Sequence, residues 1–211
     1  MCGNGIRCVG KFLYDHGMVD INEKDEITIE TLSGIKKLKA YTSGGKVNRL
    51  RVDMGKAILD PKEIPVALDG DKVVDRPVEI AGKNYNITCV SMGNPHCVVF
   101  MDDIDNLDIE TIGPEFENDK LFPERVNTEF VTVLDDHTIK MRVWERGSGE
   151  TWACGTGACA VAVAACENGF CKKGEDIKIK LKGGDLIINY TDETVYMTGN
   201  AEKVFEGEVE V

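Results

Sequence analysis

Two cysteines stand in matching surroundings. Cys2-Gly3-Asn4-Gly5 recurs 152 positions later as Cys154-Gly155-Thr156-Gly157, and each copy runs through a mostly apolar stretch to a glycine 15 positions past the cysteine, Gly17 and Gly169. The pattern predicts a helix of about three turns that starts just after each cysteine. It stops at glycine because only glycine takes the left-handed C′ conformation without a Cβ penalty. A thiolate at such a helix start is stabilised by the macrodipole and by unpaired N–H groups, so both thiols are expected to have lowered pKa values. The flanking glycines let a ligand approach the backbone, and the free first-turn N–H groups suit a carboxylate. Inverting a carbon centre needs a base on one face and an acid on the other, which a duplicated thiol motif could supply. One such motif alone would read as the start of a tightly packed helix, since buried cysteine usually behaves as a small hydrophobe. Two copies at matched positions favour chemistry.

The other six cysteines are expected to pack in the core. Cys8, Cys159 and Cys166 fall within the helices, Cys171 follows one, and Cys89 and Cys97 sit in strand-like runs. Their spacings form no paired C-x-x-C modules and no histidine lies at ligand spacing to them, so a zinc site is not expected. Gly93-Asn94-Pro95-His96 reads locally as an Asn-Pro turn between apolar strands. Trp144-Glu145-Arg146-Gly147 ends the strand that leads toward Cys154. Adjacent opposite charges usually lie on a solvated surface, but here Glu145 could hold an ammonium, Arg146 a carboxylate in a bidentate fork, and Asn127 could add amide hydrogen bonds.

The elements that must position these residues follow from periodicity. The second helix, Ala158 to Glu167, reads ACAVAVAACE, apolar on every face and so expected to be buried all round in a domain centre. Period-two alternation follows each helix, at Ile27, Ile29 and Thr31, and at Ile177, Ile179 and Leu181. Gly183-Gly184-Asp185 then predicts a hairpin into Leu186, Ile188 and Tyr190, and Ser33-Gly34 takes the similar place in the first copy. A last strand closes each copy, Leu50 to Met54 before Gly55 and Val195 to Thr198 before Gly199. The offset has by then dropped from 152 to 144, so the first copy holds eight more residues, which Gly44-Gly45 suggests loop out. Between the copies lie strand-like runs at Asn86 to Met92, His96 to Met101, Thr128 to Leu134 and Thr138 to Trp144. These lead into Cys154, while only Met1 precedes Cys2, so the first copy is expected to lack its leading half, leaving its helix partly uncovered and its strand edges unpaired.

Composition narrows the class. With 25 Lys and Arg against 37 Asp and Glu, the chain carries a formal charge of -12, which disfavours a polyanion partner. The sequence shows neither an apolar run of 18 residues nor a signal-peptide pattern, and it reads as a soluble cytoplasmic protein. Eight cysteines among 211 residues fall below disulfide-scaffold levels, so the thiols are expected to be reduced.

Taken together, Met1-Cys2-Gly3-Asn4-Gly5-Ile6-Arg7-Cys8, Gly93-Asn94-Pro95-His96, Arg125-Val126-Asn127, Trp144-Glu145-Arg146-Gly147 and Ala153-Cys154-Gly155-Thr156-Gly157 resemble the diaminopimelate epimerases over essentially the whole chain. The resemblance implies interconversion of LL- and meso-diaminopimelate on the route to lysine and peptidoglycan, without pyridoxal phosphate or metal. It implies an α/β (α+β) fold of two pseudo-symmetric domains, each a curved mixed sheet or barrel around a central helix, with the active site between them. Residues 48–199 would form the second domain, and residues 1–47 with 200–211 an incomplete first one, because family members carry a leading segment of roughly 70 residues before the first cysteine motif. By the same resemblance Cys2 and Cys154 are the acid/base pair, assisted by His96 and Glu145. Gly3, Asn4, Gly155 and Thr156 would hold the reacting carboxylate, and Asn94, Asn127, Glu145 and Arg146 the distal end of the substrate. The expected partner is a small molecule rather than nucleic acid or membrane, and the expected assembly is a homodimer.

Three other readings stay open. A proline or hydroxyproline racemase of the same superfamily would typically place histidine where Asn4 stands. A thiol redox switch would use the same low-pKa cysteines, although the matching carboxylate sites weigh against it. A non-catalytic relic that binds amino acids or a partner is the third.

Overall fold

The computed structural model describes residues 2–21, 25–32 and 34–209, so Met1 of the first motif and Ser33 of the first hairpin turn lie outside the described residues. The chain divides into two units, Met1–Asp53 with Thr198–Val211, and Met54–Met197.

In the first unit, helix α1 (Gly3–Asp15) is capped by Cys2, whose Sγ accepts the Gly5 N–H at 3.4 Å. Gly17 ends it at φ +66°, with Gly17 N–H bonded to the Tyr14 carbonyl at 2.9 Å and Met18 N–H to that of Leu13 at 2.9 Å, the paired bonds of a Schellman motif. The helix lies against an antiparallel meander of β1 (Glu26–Thr31), β2 (Gly34–Ser43) and β3 (Lys46–Asp53). Its approach is close because Gly10 has no side chain: a Cβ there would stand 2.9 Å from Leu50 Cδ2 and 3.0 Å from Leu38 Cδ2. Ile27, Leu38, Ala40, Val47, Leu50 and Val52 fill the inner face with the alternation the sequence predicts.

The second unit contains β4 (Arg76–Ile80), β5 (Lys83–Ser91), β6 (Pro95–Phe100), α2 (Ile109–Glu117), β7 (Asn127–Asp135), β8 (Thr138–Glu145), β9 (Gly149–Thr151), α3 (Gly155–Glu167), β10 (Asp176–Leu181) and β11 (Gly184–Tyr190). Strand β12 (Val195–Asn200) contributes Val195–Met197 to this unit and Thr198–Asn200 to the first. The strand order β11-β10-β8-β7-β6-β5-β4 is mixed, with β10 parallel to β8 and β6 parallel to β7, and it stays open rather than closing into a barrel. On one face α3 packs across β5, β6, β7, β10 and β11. All residues from Gly157 to Ala165 are buried, as an all-apolar helix requires. On the other face Ile87, Cys89, Cys97, Val99, Phe116 and Phe130 form a second core roofed by α2. Helix α2 and strand β4 were not expected from sequence: α2 reads IETIGPEFE, and its internal Gly113 and Pro114 break the periodic signal. Gly113 is required where Trp144 crosses, since a Cβ would meet the indole at 2.3 Å.

Helix α3 repeats α1 closely. Gly169 has φ +79° and bonds to the Cys166 carbonyl at 3.1 Å, while Phe170 N–H bonds to that of Ala165 at 2.9 Å. Gly169→Ala is expected to destabilise the protein by about 1–2 kcal/mol, the cost of an L side chain in the left-handed region. Urea unfolding would detect this, and an unchanged midpoint would contradict it.

Three expectations need correction. The first copy's eight extra residues are not confined to Gly44-Gly45. The helices are offset by 152 but β1 and β10 by 150, so two fall between helix and strand and six between the start of β2 and Gly55. Cys8 is exposed on the outer side of α1, and Cys166 is half-buried in the last turn of α3, so neither is a core cysteine. Cys89, Cys97, Cys159 and Cys171 are buried.

Candidate active site

Both repeat cysteines act as helix caps through sulfur. Cys154 has φ -120° and ψ 110°, Cys2 has φ -90° and ψ 106°, and in each case the N–H three residues on donates to Sγ at 3.4 Å. The extended cap conformation aims the thiol at the same first-turn amides that the glycines leave uncovered. Gly3 and Asn4 stand beside Cys2 in the first unit, where Asn4 Oδ1 accepts from Arg7 Nη1 at 3.1 Å. Gly155 and Thr156 stand beside Cys154 in the second, and the two caps differ in environment: Cys2 is exposed, while Cys154 is 5% exposed.

That burial overturns the expected lowering of the Cys154 pKa. Burial, then the carboxylates of Glu129 and Glu145, push the thiol up to about 12, against the opposing hydrogen bonds from Thr156 and Gly157. The rise corresponds to roughly 4 kcal/mol against the thiolate, more than the ~0.3–2 kcal/mol a helix terminus provides. At neutral pH Cys154 is therefore a thiol.

Around it the second unit gathers the polar residues singled out from sequence. Gly93, at φ +91°, turns β5 into β6, and Asn94 Nδ2 donates to Thr156 Oγ1 at 3.4 Å. Thr156 Oγ1 lies 3.5 Å from Cys154 Sγ. His96, fully buried on β6, places Nε2 3.2 Å from Asn94 Oδ1 and Nδ1 2.7 Å from Glu129 Oε1. Asn127, at the start of β7, donates to the Pro95 carbonyl at 2.8 Å and accepts from Arg146 N–H at 3.0 Å, tying the two motif turns together. Glu145 is half-buried and accepts from Thr151 Oγ1 at 2.5 Å. Arg146 is also half-buried, with its guanidinium on the Glu124 carbonyl at 2.9 Å.

Two functional supports were missed in the sequence. Glu117 accepts from Trp144 Nε1 at 2.7 Å, Gly147 N–H at 2.8 Å and Arg125 Nη1 at 3.0 Å, and so fixes the turn that carries Glu145 and Arg146. Glu129 is fully buried on β7. A carboxylate inside the strand-like run Thr128 to Leu134 was the available signal, since such a group is rarely buried unless paired.

Solved structures define the fold class. The chain superposes on a probable proline racemase from Agrobacterium radiobacter with TM-score 0.71 at 16% identity, covering 95% of this chain and 65% of that one. A hydroxyproline epimerase from Agrobacterium vitis gives 0.71 at 15%, covering 95% and 63%, so this chain spans somewhat under two thirds of either protein. A PhzF-family phenazine biosynthesis protein from Bacillus anthracis gives 0.67 at 18%, covering 100% and 76%. The fold is thus the one these racemases, epimerases and PhzF proteins share. The sequence model described as diaminopimelate epimerase matches residues 88–204. Diaminopimelate epimerases from Acetivibrio thermocellus and Agathobacter rectalis are 53% and 51% identical over the whole of this chain, which spans 74% and 75% of their lengths. The chain belongs to the diaminopimelate epimerase family, and its class is isomerase.

Proposed function

We propose that this protein interconverts LL- and meso-2,6-diaminopimelate, a step toward lysine and peptidoglycan, by proton transfer through Cys2 and Cys154 with no pyridoxal phosphate or metal. The observation that carries this reading is the sulfur-capped helix start present in both copies, alike in backbone conformation and hydrogen bonding. One thiolate removes the α-proton while the other thiol returns a proton to the opposite face, and the roles exchange with substrate hand. The elevated Cys154 pKa supports its part as donor. Removing an α-proton shifts charge onto the substrate carboxylate, where the preorganised first-turn N–H groups beside Gly3, Asn4, Gly155 and Thr156 stabilise it.

Asn94, Asn127, Glu145 and Arg146 grip the distal amino-acid end, and His96 and Glu145 assist the thiols. Glu145 and Arg146 side by side suit a substrate whose far end carries both an ammonium and a carboxylate, which proline lacks. The charge of -12, and the absence among the described residues of a helix long and apolar enough to cross a membrane, support a small-molecule substrate over nucleic acid or membrane.

The test is to incubate the protein with LL-diaminopimelate, and separately with L-proline, in the presence of a chelator and no added cofactor. Chiral chromatography should show the meso isomer and no D-proline. Racemised proline without meso-diaminopimelate, or no conversion of either, would overturn the reading.

A further inference from the structure

Glu129 is placed where a carboxylate anion is hard to hold. Its side chain is fully buried, and Oε2 has no hydrogen-bond partner. Oε1 fits against Gly157 so closely that a Cβ on residue 157 would stand 2.5 Å from it. The corresponding Gly5 of the first copy meets only ordinary contacts, 3.4 Å to Cys2 Sγ, so this fit is peculiar to the second copy. A bare anionic oxygen in such a site costs far more than the carbonyl oxygen of a neutral acid.

Hydrogen-bond directions set a second constraint. Asn94 Nδ2 donates to Thr156 Oγ1, so Asn94 Oδ1 takes the proton of His96 Nε2, and the Thr156 hydroxyl hydrogen is left for Cys154 Sγ. A neutral ring with Nε2 protonated presents Nδ1 as an acceptor, and the group 2.7 Å from Nδ1 is Glu129 Oε1.

We propose that Glu129 is held protonated, sharing that proton with His96 Nδ1, and that this makes Glu129, His96, Asn94 and Thr156 a chain of donors directed at Cys154 Sγ. Glu129 is then a positioning residue. It selects the His96 tautomer and, through the chain, supplies a hydrogen bond to sulfur at the moment Cys154 gives up its proton. No proton has to pass through the Asn94 amide.

The titratable groups facing Glu129 are His96 from β6, Glu145 from β8 and Cys154 at the start of α3, while Cys97 lies on the opposite face of β6 and is felt only through its charge. Burial raises the Glu129 pKa above the ordinary carboxylate value, opposed by His96 and reinforced by Glu145. A group raised in the folded state contributes stability that is present below its unfolded pKa and is lost as pH rises through the folded value.

The consequence for the proposed epimerase chemistry rests on the functional reading above, but the proton itself can be tested without turnover. Glu129→Gln keeps a donor to Nδ1 and removes the titrating group, whereas Glu129→Leu removes both. The urea midpoint of Glu129→Gln, relative to wild type, should rise between pH 5 and pH 8 by up to roughly 0.5 M per pH unit. Glu129→Leu should be less stable than Glu129→Gln throughout. A Glu129→Gln midpoint below wild type by one fixed margin across that range would show an ionised Glu129 and overturn the proposal.

In the epimerase assay Glu129→Gln should keep kcat within a few-fold of wild type, while Glu129→Leu loses about 10- to 100-fold in kcat with little change in KM. Equal kcat losses in both variants would also overturn it. Wild-type protein without epimerase activity would instead refute the functional reading and leave the urea comparison to decide the state of Glu129.

Discussion

Cys154→Ala is expected to lower epimerisation by at least about 10³-fold, the scale of a lost acid/base group. The protein should still fold. Cys154 caps α3 through a single bond from Gly157 N–H, and losing a cap costs about 1 kcal/mol, which the buried α3 can withstand. Cys154→Ser separates the two roles. A hydroxyl caps at least as well as a thiol, so stability should stay near wild type, yet serine is a far weaker acid and base at the α-carbon and activity should remain low. Near-wild-type turnover by either variant, measured as conversion of LL to meso isomer, would remove Cys154 from the chemistry.

Phe130→Ala should produce the largest loss of stability, about 3–5 kcal/mol by urea unfolding. Phe130 is fully buried on β7 and meets Phe116 edge-on, with centroids 5.4 Å apart and planes at 88°, and Phe116 meets Tyr85 at 5.0 Å. Its side chain faces the core under α2, while its neighbour Glu129 faces Gly157 of α3. The substitution therefore empties one side of the strand without touching the hydrogen bonds on the other. Folded Phe130→Ala protein should keep its KM, and a loss below about 1 kcal/mol would mean that the core collapses to fill the space.

Helices α1 and α3 and their ends were legible in the sequence because each carries a local chemical signal: a capping side chain in front, and glycine where φ turns positive. Ile177, Ile179, Leu186 and Ile188 likewise declared their strands through alternation. Helix α2 was hidden, since Gly113 and Pro114 answer to Trp144 and to the core rather than to helix propensity. The site was legible in part. Its thiols, Asn94, His96 and Asn127 belong to recognisable motifs, but Glu117 and Glu129 sit in ordinary-looking segments and gain meaning only through partners 8 to 33 residues away. The raised Cys154 pKa escapes the sequence for the same reason. A helix terminus can be read from neighbours in sequence, whereas burial and two carboxylates come from tertiary packing.

The most direct test of two-thiol inversion is the fate of the substrate's α-hydrogen in deuterated water. Early in the conversion of LL-diaminopimelate, mass spectrometry and proton NMR should find one solvent deuterium at the inverted carbon of the meso product and none in the remaining substrate, because the proton returned comes from a different thiol than the one that took it. Meso product that retains the original hydrogen at that carbon would mean that a single group removes and returns the proton, and would contradict the account.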